Sequence, residues 1–188
     1  MRNDTEIAVR VFETPFGRMS VAANEKGVVR VTLPGVDVAD PGPKPRKQEG
    51  ASSAGRSAPR GPSAAEKLAA LAEREILEYL AGRRKEFTVA VDLASVPPFR
   101  QKVYRACAKV IFGTTASYRQ LAWRIGQPRA ARAVGQAMAA NPVPLVVPCH
   151  RVIGADGRLC GFMGGRGSGL TLKKKLLELE GGNVKGGH

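Results

Sequence analysis

The chain has 188 residues, 43% of them hydrophobic, which suffices for one ordinary domain or two small ones with a buried core. Its 30 Lys and Arg against 16 Asp and Glu leave a net charge of +14, more than solubility requires, so a polyanion is the expected partner. No run of apolar residues is long enough to span a bilayer, and the opening MRNDTEIAVR alternates charge with apolar residues where a signal peptide needs an unbroken apolar stretch; the expectation is a cytoplasmic protein with no membrane partner.

Along the chain, residues 7–12, 18–23 and 27–33 read as three short Val-rich strands. Turn signals at Pro15-Phe16-Gly17 and Asn24 to Gly27 separate them and predict an antiparallel meander. Residues 34–62 collect Pro, Gly, Ser and Lys with almost no large apolar side chain, so burial cannot offset their ordering entropy and a mobile loop is expected. A helix follows at 64–81, where Leu68, Leu71, Ile76, Tyr79 and Leu80 mark an apolar face and Gly82 supplies the stop. Residues 87–91 are a candidate fourth strand.

Pro97-Pro98 marks the passage to a second, mostly helical half. Helices are predicted at 99–111, 117–125 and 128–140, the last opening on Pro128 and carrying Arg129 and Arg132 in its first turns. Gly126-Gln127 makes the connecting turn short enough for a helix-turn-helix unit. The expected fold is therefore α+β: a small N-terminal antiparallel sheet with a helix in residues 1–92, then a helical domain in 93–188 with a flexible tail at 181–188.

Charge placement is more specific than the total. From Leu93 to Ala155 there is no Asp or Glu, yet the stretch carries nine cations: Arg100, Lys102, Arg105, Lys109, Arg119, Arg124, Arg129, Arg132 and Arg151. A one-signed surface repels itself and calls for a compensating ligand, here nucleic acid. The predicted third helix is rich in Ala and Gly, including Ala131, Ala133 and Gly135. It lacks the long polar side chains of a major-groove reader and suits either close approach to a minor groove or tight packing in the core.

Cys107, Cys149 and Cys160 are an odd number without a CxxC pair, which argues against a disulfide scaffold, and with two histidines they lack metal-ligand spacing. Cys149 closes the proline-punctuated run Asn141-Pro-Val-Pro-Leu-Val-Val-Pro148 and precedes His150-Arg151. The nucleophilic form of cysteine is the thiolate, which neighbouring positive charge or a positioned base favours. His150 is the single histidine before the C-terminal residue, so imidazole chemistry must use it.

The segment Pro148-Cys-His-Arg-Val152 resembles the active-site motif of the O6-alkylguanine-DNA alkyltransferases. The likeness extends through Thr115-Ala-Ser-Tyr-Arg-Gln-Leu-Ala122, Ala130-Ala-Arg-Ala-Val-Gly135, Asn141-Pro-Val-Pro144 and Leu176-Leu-Glu-Leu-Glu180, and weakly through Thr14-Pro-Phe-Gly17. The resemblance implies a ribonuclease-H-like N-terminal domain and a monomeric repair protein without cofactor or metal. Such a protein binds double-stranded DNA through the minor groove, flips an O6-alkylguanine (O4-alkylthymine being a second substrate) and takes the alkyl group irreversibly onto Cys149. It further implies that His150, oriented by Glu180, deprotonates the thiol through a water, that Tyr118 assists extrusion and hydrogen-bonds the guanine, and that Arg132 fills the vacated stack. Asn141 would brace the active-site turn, Lys173 would lie near the thiol, and the carbonyls of Cys149 and Val152 would meet the exocyclic amine. Met138, Phe162 and Met163 would line the apolar pocket, and Ala131, Ala133, Gly135 and Arg151 would lie against DNA.

Glu180 near a helix C-terminus opposes the helix dipole, which orienting a histidine would explain, although an exposed Glu there costs only a few tenths of a kcal/mol. Two departures from the family pattern stand out: Phe162 replaces a tyrosine, and Gly164-Gly-Arg-Gly-Ser-Gly169 is longer than the usual Gly-Gly, so it is either slack in the pocket wall or a plain connector. Three other functions compete. Alkyltransferase-like lesion binders carry Trp in place of the acceptor cysteine, a transcriptional regulator needs base-reading side chains, and a cysteine hydrolase would turn over repeatedly.

Overall fold

The computed structural model describes residues 6–35, 61–162 and 168–181. The predicted loop at 34–63 and tail at 181–188 fall mostly outside these residues. Strands β1 (Ala8–Thr14), β2 (Gly17–Asn24) and β3 (Gly27–Thr32) form an antiparallel sheet in the order β1-β2-β3. Its register pairs Phe12 with Met19 and Val21 with Val31. The first turn closes on Gly17 at φ +116°, where Thr14 Oγ1 donates to Gly17 O at 2.6 Å. At the second turn, Asn24 Oδ1 accepts from the N–H groups of Lys26 (2.8 Å) and Gly27 (3.0 Å), an Asx turn of the kind the sequence announces.

Helix α1 (Ala64–Leu80) begins with a reciprocal capping box between Ser63 and Glu66 and covers β1 and β2. Gly82, at φ +71°, ends it as expected. Its buried stripe differs from the predicted one: Ala65, Ala69 and Ala72 are buried together with Ile76, Tyr79 and Leu80, while Leu68 and Leu71 are half-buried. Small side chains let the helix axis approach the sheet.

Residues 87–91 do not form a strand. They touch the sheet at one parallel bridge, Val28 with Val91, with Val28 N donating to Ala90 O (2.8 Å) and Asp92 N to Val28 O (3.0 Å). The reason lies in helix α1: the buried carboxylate of Glu75 accepts from the backbone N–H groups of Thr88 (2.9 Å) and Val89 (3.1 Å) and from the Thr88 hydroxyl, so these donors have no need of a neighbouring strand. Burial works against this charge. The hydrogen bonds and Arg84, 3.2 Å away, outweigh it and hold the carboxyl below its ordinary range.

The second half contains α2 (Pro98–Ala108), α3 (Tyr118–Arg124), α4 (Ala131–Ala139) and α5 (Ser168–Leu179), with a two-residue parallel ladder joining β4 (Ala116–Ser117) to β5 (Val152–Ile153). Helix α2 starts at Pro98, with Pro pre-set for a first turn, and stops three residues before the predicted end. Helix α3 carries a second capping box, Ser117 with Gln120, and Gly126 at φ +74° reverses the chain after it. Helix α4 starts three residues later than predicted. Residues 127–130 close a separate turn in which Ala130 N donates to Gln127 O (2.9 Å), leaving Pro128 and Arg129 ahead of the helix. Val134, Ala137 and Met138 bury the inner face of α4, and the buried Tyr104 hydroxyl reaches the carbonyls of Ala137 and Ala140 at its end, both at 2.9 Å.

Glu75 thus anchors two N–H groups, the Val89 one buried, that a strand would otherwise satisfy. Glu75→Leu is expected to destabilise the fold by about 2–4 kcal/mol, because a buried donor and Arg84 lose their acceptor. Urea unfolding should show a lower midpoint at unchanged slope.

Candidate active site

Between α4 and the short 3-10 turn Cys149–Arg151, residues 141–148 run through three prolines that cannot donate hydrogen bonds. The buried amide of Asn141 spans this loop, its Nδ2 donating to Val147 O (2.9 Å) and its Oδ1 accepting from Val143 N (3.1 Å). Within the span Leu145 is held at φ +72°, the one non-glycine residue at positive φ among those described. A branched side chain in this region is strained, and here Leu145 is fully packed and cannot relax outward. The loop presents Cys149 with 3% of its surface exposed.

Burial pushes the Cys149 thiol up to about 11, against the opposing pull of Asn141 and Lys173. The resting group is therefore a thiol. This corrects the expectation that the adjacent basic pair favours the thiolate: desolvation outweighs nearby charge, and the hydrogen bonds that His150 and Arg151 make to a carboxylate go to Glu180. His150 Nε2 lies 2.8 Å from Glu180 Oε1 and 3.1 Å from the Tyr79 hydroxyl, which itself donates to Glu180 Oε1 at 2.6 Å. The resemblance puts Arg151 at the DNA surface. It is instead buried, donating through Nε (3.0 Å) and Nη2 (2.9 Å) to Glu180 and through Nη1 to Val110 O (2.6 Å). A guanidinium fork matches a carboxylate and a flanking carbonyl better than solvent does, so this cation is structural.

Glu180 sits just beyond the last turn of α5, with Gly113 N donating to its second oxygen at 3.1 Å. Burial would raise its carboxyl, but the hydrogen bonds from His150, Arg151 and Tyr79 prevail and lower it to about 2. Burial holds His150 below its ordinary value, with Glu180 opposing, so the ring is neutral. With Nε2 directed at a carboxylate, the proton belongs on Nε2 and the lone pair on Nδ1. Nδ1 is the one buried side-chain nitrogen or oxygen among the described residues without a hydrogen-bond partner. A neutral imidazole held by one nitrogen, with a free lone pair on the other and a thiol one residue away, is the arrangement of a general base.

Lys173 is buried, its ammonium donating to Val152 O (2.6 Å) and Cys160 O (3.0 Å), and burial lowers it to about 8 while Cys149 opposes that shift. One lone pair of the Val152 carbonyl is thereby occupied and one remains. Tyr118 opens α3 half-buried, its ring edge 3.8 Å from where a Cβ on Gly135 would lie, and burial raises its hydroxyl to about 12, so it stays a donor. Met138 and Phe162 are buried; Ala131, Ala133 and Gly135 are half-buried on α4, and Arg132 projects into solvent from its first turn. Met163 and residues 164–167 of the 164–169 insertion lie outside the described residues, and residues 168 and 169 open α5. Cys107 is buried with its thiol pushed up, chiefly by desolvation, and Cys160 is exposed.

Sequence reasoning missed Tyr79, which reads as one more apolar position of α1, and the Val110 and Gly113 backbone groups. A tyrosine on a buried helix face needs a partner for its hydroxyl, and that requirement is the available signal.

Two family models match: the ribonuclease-like domain of 6-O-methylguanine DNA methyltransferase over residues 7–93, and its DNA binding domain over residues 98–182. The methylated-DNA–protein-cysteine methyltransferase of Mycobacterium tuberculosis is 48% identical over 102 residues, 54% of this chain and 59% of that protein. The chain thus spans less than two thirds of the length of such relatives. The constitutive protein of that name from Bacillus subtilis is 34% identical over 168 residues, 89% of this chain and 92% of that one. A crystal structure of Mycobacterium tuberculosis OGT in complex with DNA superimposes with a TM-score of 0.69 at 32% identity, covering 92% of this chain and 91% of that chain.

The site makes stability depend on acid. Both His150 and Glu180 have folded values below their unfolded ones, so each contributes stability above its unfolded value and loses it as pH falls. Tm is expected to decline as pH drops below 6.5, where unfolded histidine gains a proton that the buried ring resists, and to decline further from 4.5 toward about 2 as Glu180 protonates. In His150→Phe the first decline should shrink, which a series of melts at constant ionic strength will show.

Proposed function

Since the chain belongs to the methylated-DNA–protein-cysteine methyltransferase family, we propose that it moves an alkyl group from O6 of a guanine in duplex DNA onto Cys149, once per molecule. The observation that carries this reading is the free lone pair of His150 Nδ1 in a ring fixed by Glu180, one residue from a protonated thiol. A water between Nδ1 and the sulfur passes the thiol proton to the imidazole. The thiolate then attacks the alkyl carbon; the S–C bond forms, the C–O6 bond breaks, and its electron pair leaves with the guanine.

The imidazolium formed is stabilised by Glu180, whose charge Arg151 keeps ionised. Tyr118 remains protonated and donates a hydrogen bond to the guanine as negative charge develops on it. The product is a thioether, which has no leaving path to water, so the thiol is not regenerated. Because Cys149 is buried, a stacked base cannot reach it and must be flipped out. Arg132, exposed at the start of α4, fills the vacancy, and the small residues Ala131, Ala133 and Gly135 admit the helix to the minor groove.

A lesion binder without transfer chemistry has no use for the buried thiol and its base, so transfer is favoured. We read the protein as a monomer; among the described residues no helix is long and apolar enough to cross a membrane.

Incubation with duplex DNA carrying O6-methylguanine is expected to add the mass of one methyl group, located on Cys149 by peptide mapping, with one equivalent as the limit. Cys149→Ser should still bind DNA and gain no mass. Multiple turnovers, or a methyl group elsewhere, contradict the mechanism.

Tyr79 is a positioning residue in this scheme. Tyr79→Phe removes a donor from Glu180, leaves the carboxylate more basic and strengthens its hold on the imidazolium. At a pH where His150 is neutral, single-turnover transfer is nevertheless expected to slow by about tenfold, because the ring loses the Tyr79 hydroxyl that helps to position it. The acid limb of its pH profile should move toward neutrality, a shift that a purely structural loss would not produce.

A further inference from the structure

Helix α2 presents Lys102 and Arg105 on one exposed face, continued by Lys109 at its C-cap, while Val103, Tyr104 and Cys107 bury the other. The spacing of three and four residues places these cations in a single line. Across from them, exposed Arg124 at the end of α3 completes a groove of about 510 Å³ whose floor is Ala106 and Ile125. Among the described residues no carboxylate lines it, and no ion pair engages Lys102, Arg105, Lys109 or Arg124; Arg105 makes one neutral hydrogen bond to Gln101 (3.1 Å). Arg105 and Lys109 also border a larger groove toward residues 85–94, which is where the nearby carboxylates Glu86 and Asp92 stand.

Like charges three or four residues apart on a helix repel, and four around one concavity concentrate positive potential. Packing does not require them, since all four side chains are exposed. One residue from Arg124, Trp123 is 74% exposed, and it is the single tryptophan of the chain. An indole left in water at the end of α3, next in the chain to a groove residue though not itself part of the groove lining, offers a flat π surface that aliphatic residues cannot supply. The groove lining contains no residue of α4 or of the Asn141–Ile153 segment, so it is separate from the catalytic site.

We infer that this α2–α3 groove is a second nucleic-acid site, specific for single-stranded DNA. The phosphates follow Lys102, Arg105, Lys109 and Arg124, and an unpaired base stacks on Trp123. The run of α2 from Lys102 to Lys109 spans about 10 Å, the length of two or three successive phosphates of one strand. A base presents its face for stacking only when it is unpaired, so the indole favours a single strand over a duplex. The site holds an undamaged strand while α4 engages the lesion-bearing duplex, and it needs no alkyl chemistry.

Since Trp123 is the one tryptophan, its emission reports this site directly. Titration of the full chain with a lesion-free oligothymidylate is expected to quench it saturably. The Lys102→Gln/Lys109→Gln pair should weaken that binding, lowering the slope of log affinity against log salt by about 1.4, that is, about 0.7 for each phosphate no longer neutralised. The same variant should react with free O6-benzylguanine at the parent rate, which separates this site from the alkyl-transfer reading. Unchanged emission at oligomer concentrations that saturate the protein by anisotropy would overturn the proposal. So would an unaltered salt slope in the variant, or equal quenching by a blunt duplex of the same length.

Discussion

Donors from Tyr79, Gly113, His150 and Arg151 converge on the carboxylate of Glu180. They come from α1, from the loop after α2 and from the 3-10 turn that bears the thiol, while Glu180 itself ends α5. Removing a carboxylate from water costs several kcal/mol, and only a nearly complete set of hydrogen bonds returns that cost. The geometry is consequently all-or-none: losing one donor leaves the others holding a charge that is under-satisfied. The position of His150, and with it the direction of its free lone pair, depends on elements from both halves of the chain being docked at once.

That dependence bears on how reactivity is stored. A thiol activated by flanking charge would be ionised at all times and open to any electrophile or oxidant. Here desolvation keeps Cys149 protonated, and in the proposed mechanism the means to deprotonate it is a neutral base whose imidazolium product is stabilised in advance by Glu180. In the proposed single-turnover reaction this arrangement is an advantage, since an acceptor lost to a stray electrophile cannot be recovered. Lys173 fits the same logic. Its charge lowers the cost of forming the thiolate, while its ammonium is hydrogen-bonded to two carbonyls.

The parts of this structure that were legible in the sequence are those encoded locally. Turn residues at Gly17 and Gly27 and the stop at Gly82 act within a few positions of themselves, and the strands and helices they delimit lie close to where the pattern puts them. Cys149 beside His150, and the need for a carboxylate such as Glu180, were legible through the resemblance. What failed was whatever depends on a distant partner. Residues 87–91 have strand composition, yet their N–H groups are claimed by Glu75 on a helix facing them. Arg151 has the sequence context of a surface cation, yet Glu180, 29 positions away, draws it inside. Tyr79 reads as apolar because periodicity registers the ring and not the hydroxyl.

The N-terminal sheet also bears on the site by a second route. Val31 N of β3 donates to Pro142 O (2.8 Å), tying the sheet edge to the loop that Asn141 braces and that holds Leu145 at positive φ. A strained residue persists only where its surroundings over-determine it. Here the determinants are the Asn141 amide on one side, the sheet on the other and the packing of Leu145 between them. The same loop delivers Cys149, whose N–H is bonded to Val147 O (2.8 Å) just beyond the braced span. The sheet and α1 therefore act on opposite sides of one dipeptide, the sheet through the loop that positions the sulfur and α1 through the Tyr79 hydroxyl that helps fix the imidazole. In the proposed transfer reaction, where His150 meets the thiol through one water, contacts from both elements of the N-terminal half help to fix the separation of base and sulfur.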